Sequence, residues 1–87
     1  MKKYVAIVEV SLKSGHSDPE GETVAYLLKE LGYSVESVGV SKTYCIVLTA
    51  SSLDEVQVKV EEMSKRLLAN PTKDNYTISV SADVVVE

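Results

Sequence analysis

The residues best placed to do chemistry lie in one loop, residues 13–21, which reads Lys-Ser-Gly-His-Ser-Asp-Pro-Glu-Gly. Its glycines suggest a phosphate-binding loop, and His16 beside Asp18 and Glu20 suggests a metal site. A phosphate site needs a lysine and bare amides at the helix start, whereas Asp18, Glu20 and Glu22 place three carboxylates there. Structural metals prefer cysteines or several histidines, and His16 is the single histidine. We therefore predict no phosphate site and no metal site, and we interpret His16 as a solvated loop residue.

Other reactive groups are equally isolated. A nucleophilic serine or cysteine needs a base within hydrogen-bond reach, and nothing in the sequence places Cys45 beside His16. Cys45 lies in an apolar strand pattern, which favours a buried and inert thiol. The paired carboxylates at 54–55 and 61–62 fall on a predicted helix and are interpreted as solvated charge. The sequence predicts no catalytic residue and no cofactor.

Composition limits the class of protein. The 87 residues form one predicted domain, 1–87, and its core must be thin because short chains bury a small fraction of their surface. A net charge of −4 argues against nucleic acid and anionic membranes as partners. No apolar run approaches the roughly 20 residues of a membrane span. One cysteine cannot form an internal disulfide. These features are typical of a cytoplasmic protein.

The loop is better explained as a helix start. Asp18 is a suitable N-cap, Pro19 fits the first helical turn, and Glu20 carries negative charge at the positive end of the helix dipole. We predict helix one from Pro19 to Leu31, ended by Gly32, after a first strand at 3–12. The apolar positions of helix one repeat with helical spacing and predict a core stripe: Val24, Leu27, Leu28 and Leu31.

The segment 34–50 has two interpretations. Val35, Val38 and Val40, and then Tyr44, Ile46 and Leu48, give two strand-like halves around a poor turn sequence at 39–42. The segment is either a loosely specified hairpin or one long bent strand. In the second case the helix that follows packs on another subunit, which is segment exchange and a low-cost route to a dimer.

A second helix and a last strand complete the pattern. Ser52 to Glu55 form a capping box, and Asn70-Pro71 ends the helix. Residues 75–81 alternate as a strand, and we expect the apolar tail Val84–Val86 to pair, across an interface. The predicted core stripe of helix two consists of Leu53, Val56, Val60, Met63 and Leu67.

The predicted order is β-α-β-β-α-β. This is the α+β ferredoxin-like arrangement, an antiparallel sheet with two helices on one face. Fold alone does not give function.

Two motifs resemble a known family. Residues 12–24, LKSGHSDPEGETV, resemble the LKxGxxDPxGxxV motif of the PurS family, and residues 67–78 resemble its LLANPxxxxYxI motif. Residues 28–35 resemble its LxxLGFxV step, so the resemblance covers about residues 3–81. The chain departs at Ser14, where proline is common, and at 41–42, where Gly-Lys is typical.

The resemblance implies a function without catalysis. PurS is the small subunit of phosphoribosylformylglycinamidine (FGAM) synthase in purine biosynthesis. It implies a homodimer or homotetramer that bridges a glutaminase subunit and a large synthetase subunit and supports ammonia transfer. An alternative from another class is a small-molecule, amino-acid-sensing regulatory domain, since such modules bind ligand through backbone groups at helix ends. A stand-alone enzyme is disfavoured by the lack of convergent polar residues.

The family motif points to nine positions in this chain. Seven of them fit structural duties in helix starts, helix ends and packing. Lys13 and Lys42 have no evident backbone duty, and we expect them to contact acidic patches on partner subunits. The seven structural positions are Gly15, Asp18, Pro19, Gly21, Asn70, Pro71 and Tyr76.

Overall fold

The centre of the molecule is a three-stranded antiparallel sheet. In the computed structural model, which describes residues 2–82, the strands are β1 (Lys2–Leu12), β2 (Lys42–Ala50) and β3 (Asp74–Ala82). Their spatial order is β2-β1-β3, so β1 is central. Val8 marks the register, because it lies opposite Tyr44 on one side and Ile78 on the other.

One face of the sheet carries the core. Alternate residues of β1 point to this face, because side chains along a strand alternate between the two faces. Helix α2 (Leu53–Met63) covers it and contacts all three strands through the fully buried Val56 and Val60. The predicted cap is present: Ser52 Oγ accepts a hydrogen bond from Glu55 N at 3.2 Å. The central-strand members of the core are Tyr4, Ala6, Val8 and Val10.

A π-helical turn, Ser64–Leu68, changes the end of helix two. Its i→i+5 bond, from Ala69 N to Ser64 O at 2.9 Å, shifts the following side chains around the helix axis. Buried Ser64 donates its hydroxyl to Val60 O at 2.8 Å. The prediction that Leu67 belongs to the core stripe is wrong: Leu67 is 83% exposed, and Leu68 packs against the core instead.

Helix α1 (Pro19–Glu30) makes sparse contacts with the described sheet. Its buried residues are Gly21 and Ala25, while Leu27 is 54% and Leu31 is 73% exposed. Three residues of the predicted core stripe of helix one, Val24, Leu27 and Leu31, are therefore exposed in the single chain, and Leu28 is half-buried. The radius of gyration, 16.7 Å, exceeds the roughly 12 Å of a compact domain of this length.

The segment between α1 and β2 is not a strand. Residues 33–41 run back along α1 without joining the described sheet. The strand predicted from Val35, Val38 and Val40, directly after helix one, is therefore absent from the described part of the chain. Helix α2 lies on its own sheet in the described chain, which differs from the segment exchange that the long-bent-strand interpretation allowed. The α+β, ferredoxin-like arrangement is confirmed, with three strands and with α2 as the helix that covers the sheet.

Three further observations bear on the predictions. Cys45 is exposed rather than buried, because Tyr44 and Ile46 face α2 and the residue between them faces away. The tail Val84–Val86, which we predict to pair, lies outside the described residues. No helix in residues 2–82 has the length and apolar character needed to span a membrane.

Candidate functional site

One end of the sheet brings together most of the predicted site residues. Lys13 follows β1, Lys42 opens β2 opposite Val10, and Leu12 pairs with Asp74 at the start of β3. We call Lys13, Lys42 and Lys73 the basic end of the molecule.

Asp18 joins the start of α1 to the segment that precedes β2. Its Oδ1 accepts a hydrogen bond from Gly21 N and its Oδ2 accepts one from Val40 N, both at 3.0 Å. The hydrogen bond from Gly21, and then the one from Val40, lower the pKa of the Asp18 carboxyl below its ordinary value. Desolvation opposes them with a smaller effect. Asp18 is thus the N-cap that the sequence predicts. Through Val40 it also holds the segment that precedes β2 against the start of α1.

Gly21 is required by a close approach of the backbone. A Cβ at this position would lie 2.2 Å from the carbonyl oxygen of Val38. The φ of Gly15 is +89°, in the left-handed region that favours glycine, so this residue shapes the turn after β1. Both glycines, and Pro19 at the first helical position, therefore position the arm formed by residues 19–41.

Lys13 has a structural partner. Its Nζ donates to Pro71 O at 2.9 Å and its backbone N donates to Lys73 O at 2.7 Å. The prediction that Lys13 has no backbone duty is therefore wrong, because its ammonium caps the turn between α2 and β3. Asn70 organises the same turn, since its Oδ1 accepts from Thr72 N at 2.9 Å and its own N donates to Asp74 Oδ2 at 2.8 Å.

Tyr76 ties β3 to helix α2. Its hydroxyl donates to Glu61 Oε1 at 2.7 Å, and the same oxygen lies 3.6 Å from Lys65 Nζ. The hydrogen bond to Glu61, with desolvation and the charge of Glu61, raises the pKa of the Tyr76 hydroxyl. Glu61 is therefore a structural acceptor rather than a free acid.

Two open clefts flank the basic end. The larger, about 720 Å³, lies between the loop after β1 and the segment 37–41, and Lys13, His16 and Asp18 are among its lining residues. The smaller, about 210 Å³, is lined by Lys42, Lys73 and Asp18 among others. Across residues 2–82 no three His, Cys, Asp or Glu side chains are grouped so as to hold a metal ion. The larger cleft is lined by four serines with Lys13, His16 and Asp18, and the smaller one places Lys42 and Lys73 beside Asp18, Glu20 and Asp74, so cations and carboxylates alternate at this end of the sheet.

Three residues of this region, Lys73, Val40 and Glu61, have roles that the sequence does not predict. Lys73 was not a candidate, because its proximity to Lys42 depends on the β2-β1-β3 strand order. Val40 and Glu61 contribute a backbone amide and an acceptor across 22 and 15 residues of sequence. Such long-range partners leave no local sequence signal.

Several known proteins are similar to this chain in sequence and in fold. The model of the family PurS, phosphoribosylformylglycinamidine (FGAM) synthase, matches residues 5–82. The FGAM synthase subunit PurS of Methanocaldococcus jannaschii is 40% identical over 78 residues, which are 88% of this chain and 94% of that protein. The structure of Thermus thermophilus PurS matches at 39% identity with a TM-score of 0.81, over 91% of this chain and 95% of that chain. In the structure of PurLQS from Thermotoga maritima, one chain matches with a TM-score of 0.84 over 93% of this chain and 100% of that chain; at 24% identity this shows the fold.

Proposed function

The chain belongs to the PurS family of FGAM synthase, and we propose that it is the non-catalytic subunit that bridges the glutaminase and synthetase subunits of that enzyme in the cytoplasm. The observation that carries the proposal is the family match over residues 5–82, which includes both motifs of the sequence analysis. Membership confirms the resemblance found in those motifs. The amino-acid-sensing alternative is not favoured by it.

The geometry of the motif residues supports a bridging role. Asp18, Gly21 and Asn70 make backbone contacts that fix the arm and the turn before β3. A subunit that holds two larger proteins at a fixed distance needs such rigid placement more than it needs reactive groups. Ammonia transfer would then follow from how the partners are held together.

The direct test is a comparison of ammonia sources. The purified synthetase and glutaminase subunits from the same organism are assayed for FGAM formation with glutamine and with free ammonia, each with and without this chain. We expect glutamine-dependent activity to require the chain and ammonia-dependent activity to persist largely without it. If the chain changes neither activity nor co-elution of the two subunits, the bridging proposal is wrong.

Of the two proposed partner contacts, Lys42 is the one that can be tested without disturbing a bond within the chain. It is exposed at the start of β2 and lies with Lys73 on the basic end. A cation at such a place steers association with an acidic patch. Lys13 is half-buried and bonded to Pro71 O, so its substitution also disturbs the turn.

Charge reversal at Lys42 tests whether this residue contacts a partner subunit. We expect Lys42→Glu to weaken binding to a partner subunit by about tenfold, chiefly through a slower association rate, while leaving the fold intact. The matched control is Lys59→Glu on α2, which removes an exposed ion pair with Glu55 of small energetic value. Equal affinities for Lys42→Glu, Lys59→Glu and the native chain in surface plasmon resonance would remove Lys42 from the interface.

We also propose that the chain forms a homodimer by exchange of the arm, residues 19–41. The apolar stripe of α1 is exposed in the single chain, with Leu27 and Leu31 more than half exposed. A 12-residue helix is marginal in water without such packing. In a symmetric pair, each arm packs on the other copy and buries its stripe.

A single carboxylate on the stripe tests the exchange. Leu27→Asp should convert the oligomer to a smaller species in light scattering, because it places charge in the proposed interface. Val58→Asp is the matched control, since Val58 is 60% exposed on α2 and outside the arm. Circular dichroism checks that both variants stay folded. A folded Leu27→Asp variant of unchanged mass would refute arm exchange.

A further inference from the structure

The arm, residues 19–41, holds most of the excess negative charge of the molecule. It contains four glutamates and one lysine, which give it a net charge of −3, whereas the whole chain has a net charge of −4. A surface on the arm therefore attracts a cationic partner more strongly than the rest of the chain does.

A cleft of about 270 Å³ lies between α1 and the segment that returns to β2, and we call it the arm cleft. Its most buried lining residues are Ala25, which is 8% exposed, and the half-buried Val38. Its width is fixed, because a Cβ on Gly21 of α1 would collide with the carbonyl oxygen of Val38. The other lining residues are exposed: Glu22, Tyr26, Lys29, Glu36 and Ser37.

Tyr26 gives the arm cleft an aromatic wall. Its side chain is 62% exposed, and within residues 2–82 its hydroxyl makes no hydrogen bond. A tyrosine ring offers a large and rigid contact surface, and tyrosine is enriched among the residues that dominate binding energy at protein interfaces. Tyr26 is therefore placed and oriented to meet another molecule rather than to stabilise its own chain.

Glu22 and Glu36 supply the negative charge of the arm cleft. Neither carboxylate makes an ion pair in the described part of the chain, whereas Glu55 and Glu61 of α2 each pair with a lysine. Among the described residues that line the cleft, Lys29 is the one cation. The cleft therefore presents two unpaired carboxylates beside an exposed aromatic ring.

The arm cleft stays open when the apolar stripe of α1 is covered. Successive residues of an α-helix are rotated by about 100°, so Glu22, Tyr26 and Lys29 lie on the side of α1 opposite Leu27 and Leu31. Every lining residue belongs to the arm, so exchange of the arm between two copies would carry the cleft intact.

The size of the cleft indicates what it can hold. Pockets for drug-sized ligands have volumes of roughly 300–1,000 Å³ and enclose most of the ligand. The arm cleft is smaller, at about 270 Å³, and opens to solvent between exposed side chains. One long side chain from another protein fits it better than a free small molecule does.

We propose that the arm cleft receives an arginine side chain of a partner subunit, an inference that rests on the proposed bridging function. The guanidinium plane stacks on the ring of Tyr26. Its N–H groups donate to the carboxylates of Glu22 and Glu36 in charge-assisted hydrogen bonds. A lysine is a poorer occupant, because its ammonium is a compact point charge that binds carboxylates without the planar fork of arginine.

Substitution of the ring tests the stacking contact. The purified glutaminase and synthetase subunits of the same organism are immobilised in turn for surface plasmon resonance. We expect Tyr26→Leu to weaken binding to one of them by about tenfold, because leucine keeps apolar area and loses the aromatic face. Tyr26→Phe keeps the ring and should bind within about twofold of the native chain. The matched control is Tyr33→Leu, since Tyr33 is also 62% exposed on the arm but does not line the cleft.

Neutralisation of one carboxylate tests the charge. We expect Glu36→Gln to weaken binding to the same subunit by about fivefold, because one charge-assisted bond to the guanidinium is lost. Glu30→Gln removes the same charge from the arm at an exposed position outside the cleft. The pair separates a contact in the cleft from the general attraction of an acidic arm, which both variants reduce alike.

A photo-crosslinker identifies the occupant. The chain carrying p-benzoylphenylalanine in place of Tyr26 is mixed with both purified subunits and irradiated, and the crosslinked peptide is identified by mass spectrometry. We expect a peptide of the subunit whose binding Tyr26→Leu weakens, with an arginine within a few residues of the crosslinked position.

The outcomes separate this inference from the bridging function. If the native chain binds its partners while Tyr26→Leu acts like Tyr33→Leu, or Glu36→Gln acts like Glu30→Gln, the bridging proposal stands and the arginine contact is wrong. A crosslink to a second copy of this chain, or to a peptide without arginine, overturns it in the same way. If the native chain binds neither subunit, the bridging proposal is wrong and this inference falls with it.

Discussion

Replacement of Gly21 by alanine tests how the arm is positioned. In an ordinary helix interior this change is stabilising by about 1 kcal/mol, because glycine loses more backbone entropy on folding than alanine does. Here the new methyl would lie 2.2 Å from Val38 O, 2.8 Å from Asp18 Oδ2 and 3.0 Å from Asp18 Cγ. A backbone carbonyl cannot turn aside as a flexible side chain can, so the segment 37–41 must move away from α1.

The magnitude follows from two opposing effects. Overpacking costs about 1–3 kcal/mol, and a contact this short belongs at the upper end of that range. Subtraction of the helix-propensity gain leaves a net destabilisation of about 2 kcal/mol. Since 1 kcal/mol corresponds to about 4–8 °C in a domain of this size, the melting temperature should fall by roughly 10 °C. Displacement of Asp18 from its two amides adds to the loss.

Urea unfolding and thermal melts at one fixed protomer concentration measure the effect, because self-association makes stability depend on concentration. Gly39→Ala is the matched control: a Cβ at Gly39 meets nothing within 4 Å, and its φ is not positive. It should raise stability by about 0.4–1 kcal/mol. The two variants must therefore move in opposite directions. A Gly21→Ala chain as stable as the Gly39→Ala chain would refute the close approach of Val38 to α1.

Further predictions concern ionisable groups. The pKa of Glu55 is lowered to about 2, chiefly by the Ser51 hydroxyl and then by Lys59. The folded chain therefore binds a proton at Glu55 less readily than the unfolded chain does. The resulting stabilisation is present above a pH of about 4.5 and is lost as the pH falls toward 2. Glu55→Gln should flatten that part of the stability–pH curve, and a curve parallel to the native one would contradict the assignment. Tyr76→Phe removes the donor to Glu61 and should lower the urea midpoint at pH 7; because the pKa of Tyr76 is raised, the difference should disappear as the pH rises through that pKa. A difference that persists after the Tyr76 hydroxyl has lost its proton, as followed by its ultraviolet absorbance, would show that packing, not the hydrogen bond, is responsible.

The sequence alone determined the local features of this protein. Asp18 as N-cap, Pro19 at the first helical position and Ser52 as the cap of helix two depend on partners within four residues, which a sequence pattern reports directly. The positions of the three described strands followed from alternation, although the same pattern wrongly predicted a strand at Val35, Val38 and Val40. The family followed from two motifs. The core stripe of helix two was right at Val56 and Val60, which are fully buried, and wrong at Leu53, which begins the helix and is 46% exposed.

Tertiary structure decided the features that depend on distant partners. The stripe of α1 has a helical period whether it faces its own sheet or another copy, so the pattern could not tell that Leu27 and Leu31 are exposed. The π turn moved Leu67 out of the core because one backbone bond to Ser64 changes the period. Lys13 gained a partner 58 residues away. The alternation of β2 placed Cys45 on the sheet face opposite α2. Each of these outcomes is set by which surfaces meet, and a local pattern fixes the surfaces of an element without fixing what covers them.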